Sequence, residues 1–135
     1  MAVGFLDTNI YLRHLRQDHA VHSPKASAIF AQIEQGQLRV RTSDTVAFEV
    51  VFTLERTYKQ PRPLIAQGLL SLLDLPGVIL PGKRRYHRVF DLYVNQGLPF
   101  ADAFHAVLMD SLGIREIFSF DRDFDRIPGV TRRES

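Results

Sequence analysis

Short apolar runs alternate along this chain with longer stretches of helical period. Val3 to Leu6 is an uninterrupted apolar run and reads as a buried strand ending at Asp7. Ile10 to Leu15 reads as a short helix, and Gln17 to His22 as a loop. Ser23-Pro24 is a helix start, with Ser23 as the cap and Pro24 at the first helical position; Gly36 stops that helix. Leu38 to Arg41 is the second strand, and Ser43 or Asp44 caps a helix running to Tyr58. Pro61 and Pro63 open a helix through Leu73, closed by Pro76-Gly77, and Val78 to Leu80 is the third strand. Two helices follow, Lys83 to Asn95 and Phe100 to Leu112, stopped by Gly97 and Gly113. Glu116 to Phe118 is the fourth strand, with a last strand near Val130 and a tail expected to fray. Strands alternating with helices predict an α/β fold: an α/β/α sandwich around a central, mainly parallel sheet of four to five short strands. No repeat or linker interrupts the pattern, so a single domain over residues 1–131 is expected, with 132–135 as the frayed tail.

Composition narrows the chemistry. The 135 residues suit one domain, and 45% hydrophobic with 24% charged residues is the balance of a globular chain, against disorder. There is no cysteine, which excludes disulfides, thiol nucleophiles and thiolate metal sites and fits a reducing cytoplasm. No apolar run approaches the roughly 20 residues needed to span a bilayer. MAVGFLDTN carries no basic segment before an apolar one, so neither a membrane span nor a signal peptide is expected. The net charge is only +2, too small to imply non-specific nucleic-acid binding, yet 14 of the 17 cations are Arg. Guanidinium grips phosphate through paired hydrogen bonds, so either a phosphate-rich partner or compositional bias accounts for this excess.

The acidic residues fall at informative places. Asp7 ends a strand and starts a helix, with Thr8 and Asn9 beside it; ligands of open parallel sheets sit at such strand ends, although Asp is also a favoured helix cap. Glu49 lies in TVAFEVVFTL, flanked by apolar residues, where an ionised carboxylate is costly unless paired or metal-bound. At helical spacing it shares a stripe with Thr53 and Arg56, so a Glu49–Arg56 ion pair is the structural alternative. Asp102 sits in the first turn of a helix, which the helix dipole also favours, and His105 is one turn further on. Asp121, Asp123 and Asp125 form DRDFDR after the fourth strand. A calcium loop would need Gly and Glu where Arg126 and Arg132 stand, so that reading fails. Asp7 and Asp121 at strand ends, Asp102 at a helix start and Glu49 on a covering helix are expected to gather at one sheet edge. A like-charge pair at 4 Å costs about 4 kcal/mol at an effective dielectric of 20, so such a cluster persists by binding hard cations or by raising pKa values. Oxygen-only ligands favour Mg²⁺ or Mn²⁺ over zinc.

FLDTNIYL, the helix-embedded Glu49, ADAFHAVLM, and SFDRDF followed by IPGV together resemble a PIN domain, in the family's motif order and across nearly the whole chain. The resemblance implies that Asp7, Glu49, Asp102 and Asp121 are the acidic metal-site residues. Thr8 or Asn9 and Ser119 match its polar supporting positions, and Asp123 an auxiliary acid. Ser119 stands where Thr is more usual, and His105 where a small or apolar residue is common. A short PIN domain without extensions is most similar to the VapC-type toxins of toxin–antitoxin pairs. That implies an endoribonuclease using one or two Mg²⁺ or Mn²⁺ ions, homodimerisation, and inhibition by an antitoxin protein.

Metal-assisted phosphodiester hydrolysis would leave a 5′-phosphate and does not need a 2′-hydroxyl. The acidic pocket repels phosphate, so cations nearby must attract the RNA. Lys83, Arg84, His87 and Arg88 fall on one helix face and are candidates for a backbone track, with Arg122, Arg126, Arg132 and Arg133 beyond them. Ile29, Phe30, Ile33, Phe48, Val51 and Phe52 offer apolar surface for the core, a dimer seam or an antitoxin groove. The alternatives are a PIN nuclease of RNA processing, a catalytically silent PIN-like binding module, and a phospho-receiver α/β protein. The last lacks a convincing receiver lysine and the D-x-D of aspartyl phosphatases.

Overall fold

A computed structural model describes residues 2–135, and Met1 lies outside the described residues. The chain divides into two compact units, one ending at Lys83 and one beginning at Arg84.

The first unit carries a parallel three-stranded sheet in the order β1 (Val3–Phe5), β2 (Arg39–Arg41), β3 (Val78–Ile79). Its helices are α1 (Thr8–Arg16), α2 (His22–Glu34), α3 (Asp44–Phe52), which runs on into a π-helical turn Thr53–Thr57, and α4 (Arg62–Leu73). Alternation places Val40 and Val78 on one sheet face, and both are buried. Val3, Phe5, Arg39, Arg41 and Ile79 share the opposite face. There Phe5 is 63% exposed, so the first strand is not buried as its apolar run predicted. A run of four residues cannot distinguish a strand covered on both faces from one covered on a single face. Tyr11, Phe30, Ile33, Val50, Val51, Leu54 and Leu69 fill the core beneath the helices. Ile29 and Phe48 are half-buried and Phe52 is exposed, so three of the six questioned apolar positions, Phe30, Ile33 and Val51, serve this core.

The caps follow local chemistry. Ser43 Oγ accepts from Val46 N–H at 3.2 Å and starts α3 as expected. Ser23 does not start α2: it lies inside the helix, buried, with Oγ accepting from His19 N–H. His19 Nδ1 takes the capping role instead, accepting from the N–H groups of Val21 and His22. An imidazole acceptor reaching back from the preceding loop is not a signal that cap statistics contain.

The second unit is built from α5 (Arg85–Asn95), α6 (Phe100–Ser111), a 3-10 turn Arg122–Arg126, and a parallel pair β4 (Glu116–Phe118) with β5 (Thr131–Arg133). Tyr86, Phe90, Tyr93 and Phe100 form an aromatic cluster with ring centroids 5.3–6.4 Å apart, which fastens α5 to α6. The tail expected to fray is a strand as far as Arg133: Thr131 N–H reaches Arg115 O at 2.8 Å, and Arg133 ion-pairs with Glu116. The α/β class and parallel pairing agree with the sequence reading, with the five strands divided three and two. No helix among the described residues is long and apolar enough to cross a membrane.

Candidate functional site

In the first unit, Asp7 follows β1 in extended backbone and caps α1, its Oδ1 accepting from Thr8 N–H at 2.8 Å. Thr8 is buried and points its hydroxyl at α3, donating to Glu49 Oε2 at 2.9 Å. One threonine thus serves two acids, its N–H one and its O–H the other. Glu49 itself is exposed, so the desolvation argument from its apolar neighbours does not hold. Ala47, Val50, Val51 and Leu54 take the buried face, and the turn of the helix brings Glu49 out between them. Arg56 lies over the Phe52 ring, 4.9 Å from its centroid, so the ion pair weighed for Glu49 is absent among the described residues. Asn9 is exposed beside Asp7.

In the second unit, α6 and the loop after β4 bring Asp102, Asp121 and Asp123 together. Each offers a carboxylate oxygen, all within 4.8 Å of one another. The loop is held in shape by its own residues: Ser119 Oγ accepts from Asp121 N–H at 3.0 Å, and Asp121 Oδ1 caps the 3-10 turn by accepting from Asp123 N–H at 2.9 Å. Asp123 pairs with Arg126 at 3.1 Å, and Arg126 also ties the loop to Gln96 O. Asp102 is the member with least help: its Oδ2 is buried and, among the described residues, no N–H or O–H donor reaches it. Burial, together with the facing Asp121 and the charge of Asp123, pushes the Asp102 carboxyl up to about 6. Asp121 moves the other way, held below the usual carboxylate range by the Asp123 N–H and by the Asp102 carboxyl. Since no donor serves Asp102 Oδ2, only a proton on one acid or a cation can join the pair.

The donor set fits a hard divalent ion: three carboxylates, no sulfur, and one orphaned buried oxygen. Asp125 stands apart from the trio and pairs with Arg132. His105 is exposed on α6.

The candidate RNA contacts are sorted by their partners. Lys83 precedes α5 rather than starting it, and its ammonium donates to Leu75 O and Val78 O, both at 2.8 Å. Arg84 immediately precedes α5, makes no capping bond with its side chain, and is exposed. Arg88 is exposed and pairs with Asp91 at 2.7 Å. Among the described residues, Arg122 has no carboxylate partner, whereas Arg126, Arg132 and Arg133 are each ion-paired. Sequence reasoning missed the structural part of Arg132, which is nearly buried and donates to Ser119 O at 3.0 Å, bracing the acidic loop from β5. No local pattern marks it, because Asp125 and Ser119 lie seven and thirteen residues before it in the chain.

A comparison with curated proteins finds no match. The family model of the PIN domain matches residues 4–130. The match runs from β1, through the elements carrying Asp7, Glu49, Asp102 and Asp121, to Val130, the residue before β5. The chain therefore belongs to the PIN domain family, whose members are typically nucleases that use divalent metal ions.

Proposed function

We propose that this PIN domain is a Mg²⁺- or Mn²⁺-dependent endoribonuclease and serves as the toxin of a toxin–antitoxin pair. The observation that carries the nuclease reading is the crowding of Asp102, Asp121 and Asp123 around an acceptor without a donor. Asp102, Asp121 and Asp123 would hold the ion, and Asp7 and Glu49 remain the further acids that the resemblance to the family assigns to the metal site. When bound, the ion supplies acidification of water and neutralisation of the charge developing on the phosphate. The protein supplies position. Thr8 orients Glu49, Ser119 and Arg132 fix the Asp121 loop, and Arg126 limits the charge on Asp123. Arg122, which has no carboxylate partner among the described residues, follows Asp121 and is a phosphate contact; Arg84 and Arg88 are weaker candidates, and the Lys83 ammonium already serves two carbonyls.

The toxin reading follows the resemblance to VapC-type toxins drawn from the sequence and adds two partners, a second copy and an antitoxin. A groove of about 470 Å³ in the first unit supports the antitoxin, because its floor is apolar and Arg13 and Lys25 border it, a match for an acidic, apolar segment. The test is cleavage of defined RNAs with Mg²⁺, Mn²⁺ or chelator, using wild type beside Asp7→Asn and Asp121→Asn. Metal-dependent fragments bearing 5′-phosphates, lost in both variants, support the reading. Fragments that persist in chelator, or that carry only 2′,3′-cyclic phosphates, contradict it.

A further inference from the structure

Phe120 is the most exposed of the large apolar side chains among the described residues, at 82%, and it immediately precedes Asp121 of the acidic trio. Phe118, two residues earlier at the end of β4, is 70% exposed. A chain that buries Phe124, four residues on, leaves these two rings in water and forgoes the free energy of covering them. Exposed apolar groups placed together mark a contact surface. The charges around them say which kind. Arg122 follows Asp121 and has no carboxylate partner among the described residues. The Arg133 guanidinium lies 5.3 Å from the centroid of the Phe118 ring.

We propose that Phe120, with Phe118 beside it, is the platform on which unpaired bases of the substrate strand stack next to the acidic trio. The inference rests on the nuclease reading and adds to it the determinant of single-strandedness. The acids that hold a cation repel the phosphates of the strand, and more cations beside them would compete for the same carboxylates. Stacking on a neutral ring binds the strand without adding charge, and every base has a face to offer. Unpaired bases are free to stack in this way, whereas those of a duplex are already stacked on one another. Arg122 completes the arrangement, so that stacking residue, metal ligand and phosphate contact are consecutive in the chain.

The chain has no tryptophan, so Phe120→Trp installs a single fluorophore at the platform. Leu112→Trp, on an exposed residue at the end of α6, is the control. A short oligoadenylate added in chelator, where no metal-dependent cleavage runs, should quench Phe120→Trp saturably and leave Leu112→Trp nearly unchanged. A duplex of the same length should quench neither. In Mn²⁺, Phe120→Ala and Phe120→Leu should raise KM roughly tenfold with kcat and thermal stability near wild type, while Phe120→Trp keeps the wild-type KM. Equal quenching of both tryptophans, or a wild-type KM in Phe120→Leu, would overturn the platform while leaving the nuclease reading intact. Emission from Phe120→Trp that shifts to the blue with protein concentration, without oligonucleotide, would overturn it by assigning the face to a second copy of the chain. Saturable quenching by a protein that cleaves no RNA in any divalent ion would sustain the platform and sink the nuclease.

Discussion

The acids of the two units differ in what surrounds them. Asp7 and Glu49 are both supplied with donors, the N–H and the O–H of Thr8, and both are exposed. Asp102, Asp121 and Asp123 crowd one another, and one buried oxygen of Asp102 has no donor. The first pair shares the two donors of one threonine. The second trio is left with a charge that a proton or a cation must offset. Position in the fold makes all of these residues candidates, and local satisfaction separates the pair that has donors from the trio with an oxygen that lacks one.

The largest effect that tests this contrast comes from Asp121→Asn. Asparagine keeps the oxygen that caps the 3-10 turn and removes the charge, so the fold should survive. Loss of partners that merely support a metal ligand costs about 10–100-fold, so loss of a ligand should lower kcat at least 100-fold or so. Melting curves recorded alongside the activity separate a dead site from an unfolded protein. A variant with near wild-type activity would remove the trio from the account.

The next effect is on pH. The ordinary Asp value is 3.8, and in the folded protein Asp102 is pushed up to about 6. Between those values the folded state binds more protons than the unfolded one, so the metal-free protein loses stability as pH rises through about 6. An ion bound by the trio must displace that proton. Mn²⁺ affinity, measured by calorimetry, should therefore increase up to about tenfold per pH unit below about 6 and level off above it. Asp102→Asn should flatten this profile and raise the metal-free melting temperature at neutral pH.

Thr8→Val is a milder break, on the other side of the comparison. It leaves the backbone bond to Asp7 and removes only the hydroxyl that orients Glu49. A loss of roughly tenfold in kcat is expected, with Mn²⁺ affinity little changed and recovery in Thr8→Ser. Equal loss in the valine and serine variants would argue that Thr8 acts through packing alone.

The smallest effect lies away from both groups. His14 Nδ1 and the Ser27 hydroxyl are hydrogen-bonded at 2.8 Å, and burial holds the His14 pKa below the ordinary 6.5. The unfolded chain therefore takes up this proton first as pH falls. Its contribution is complete above about 6.5 and is lost on acidification below that value. A His14→Gln variant should melt with a shallower pH dependence in that range, by a few degrees at most.

Much of the architecture was legible in the sequence. Glycines that end helices did so with positive φ at Gly36, Gly97 and Gly113, a conformation that a side chain would strain. Serine at a strand-to-helix corner gave the start of α3, and the strand-end positions of Asp7 and Asp121 followed from the alternation of elements. What failed was whatever depended on a partner distant in the chain. Apolar neighbours suggested that Glu49 was buried, but the helix turned it outward. The Thr131–Arg133 segment looked like a loose tail until Glu116–Phe118 was seen to pair with it, and Arg132 looked like a free cation until its carboxylates and Ser119 O were placed around it. Lys83 likewise spends its charge on backbone carbonyls that spacing alone does not reveal.

The account stands on the trio holding a divalent ion. Anomalous scattering from crystals grown or soaked with Mn²⁺ tests that claim most directly. A peak within coordination distance of Asp102, Asp121 and Asp123, absent from Asp121→Asn crystals under the same conditions, is the expected result. Crystals of wild type that show no manganese at these carboxylates, at a pH above the titration of Asp102, would contradict it.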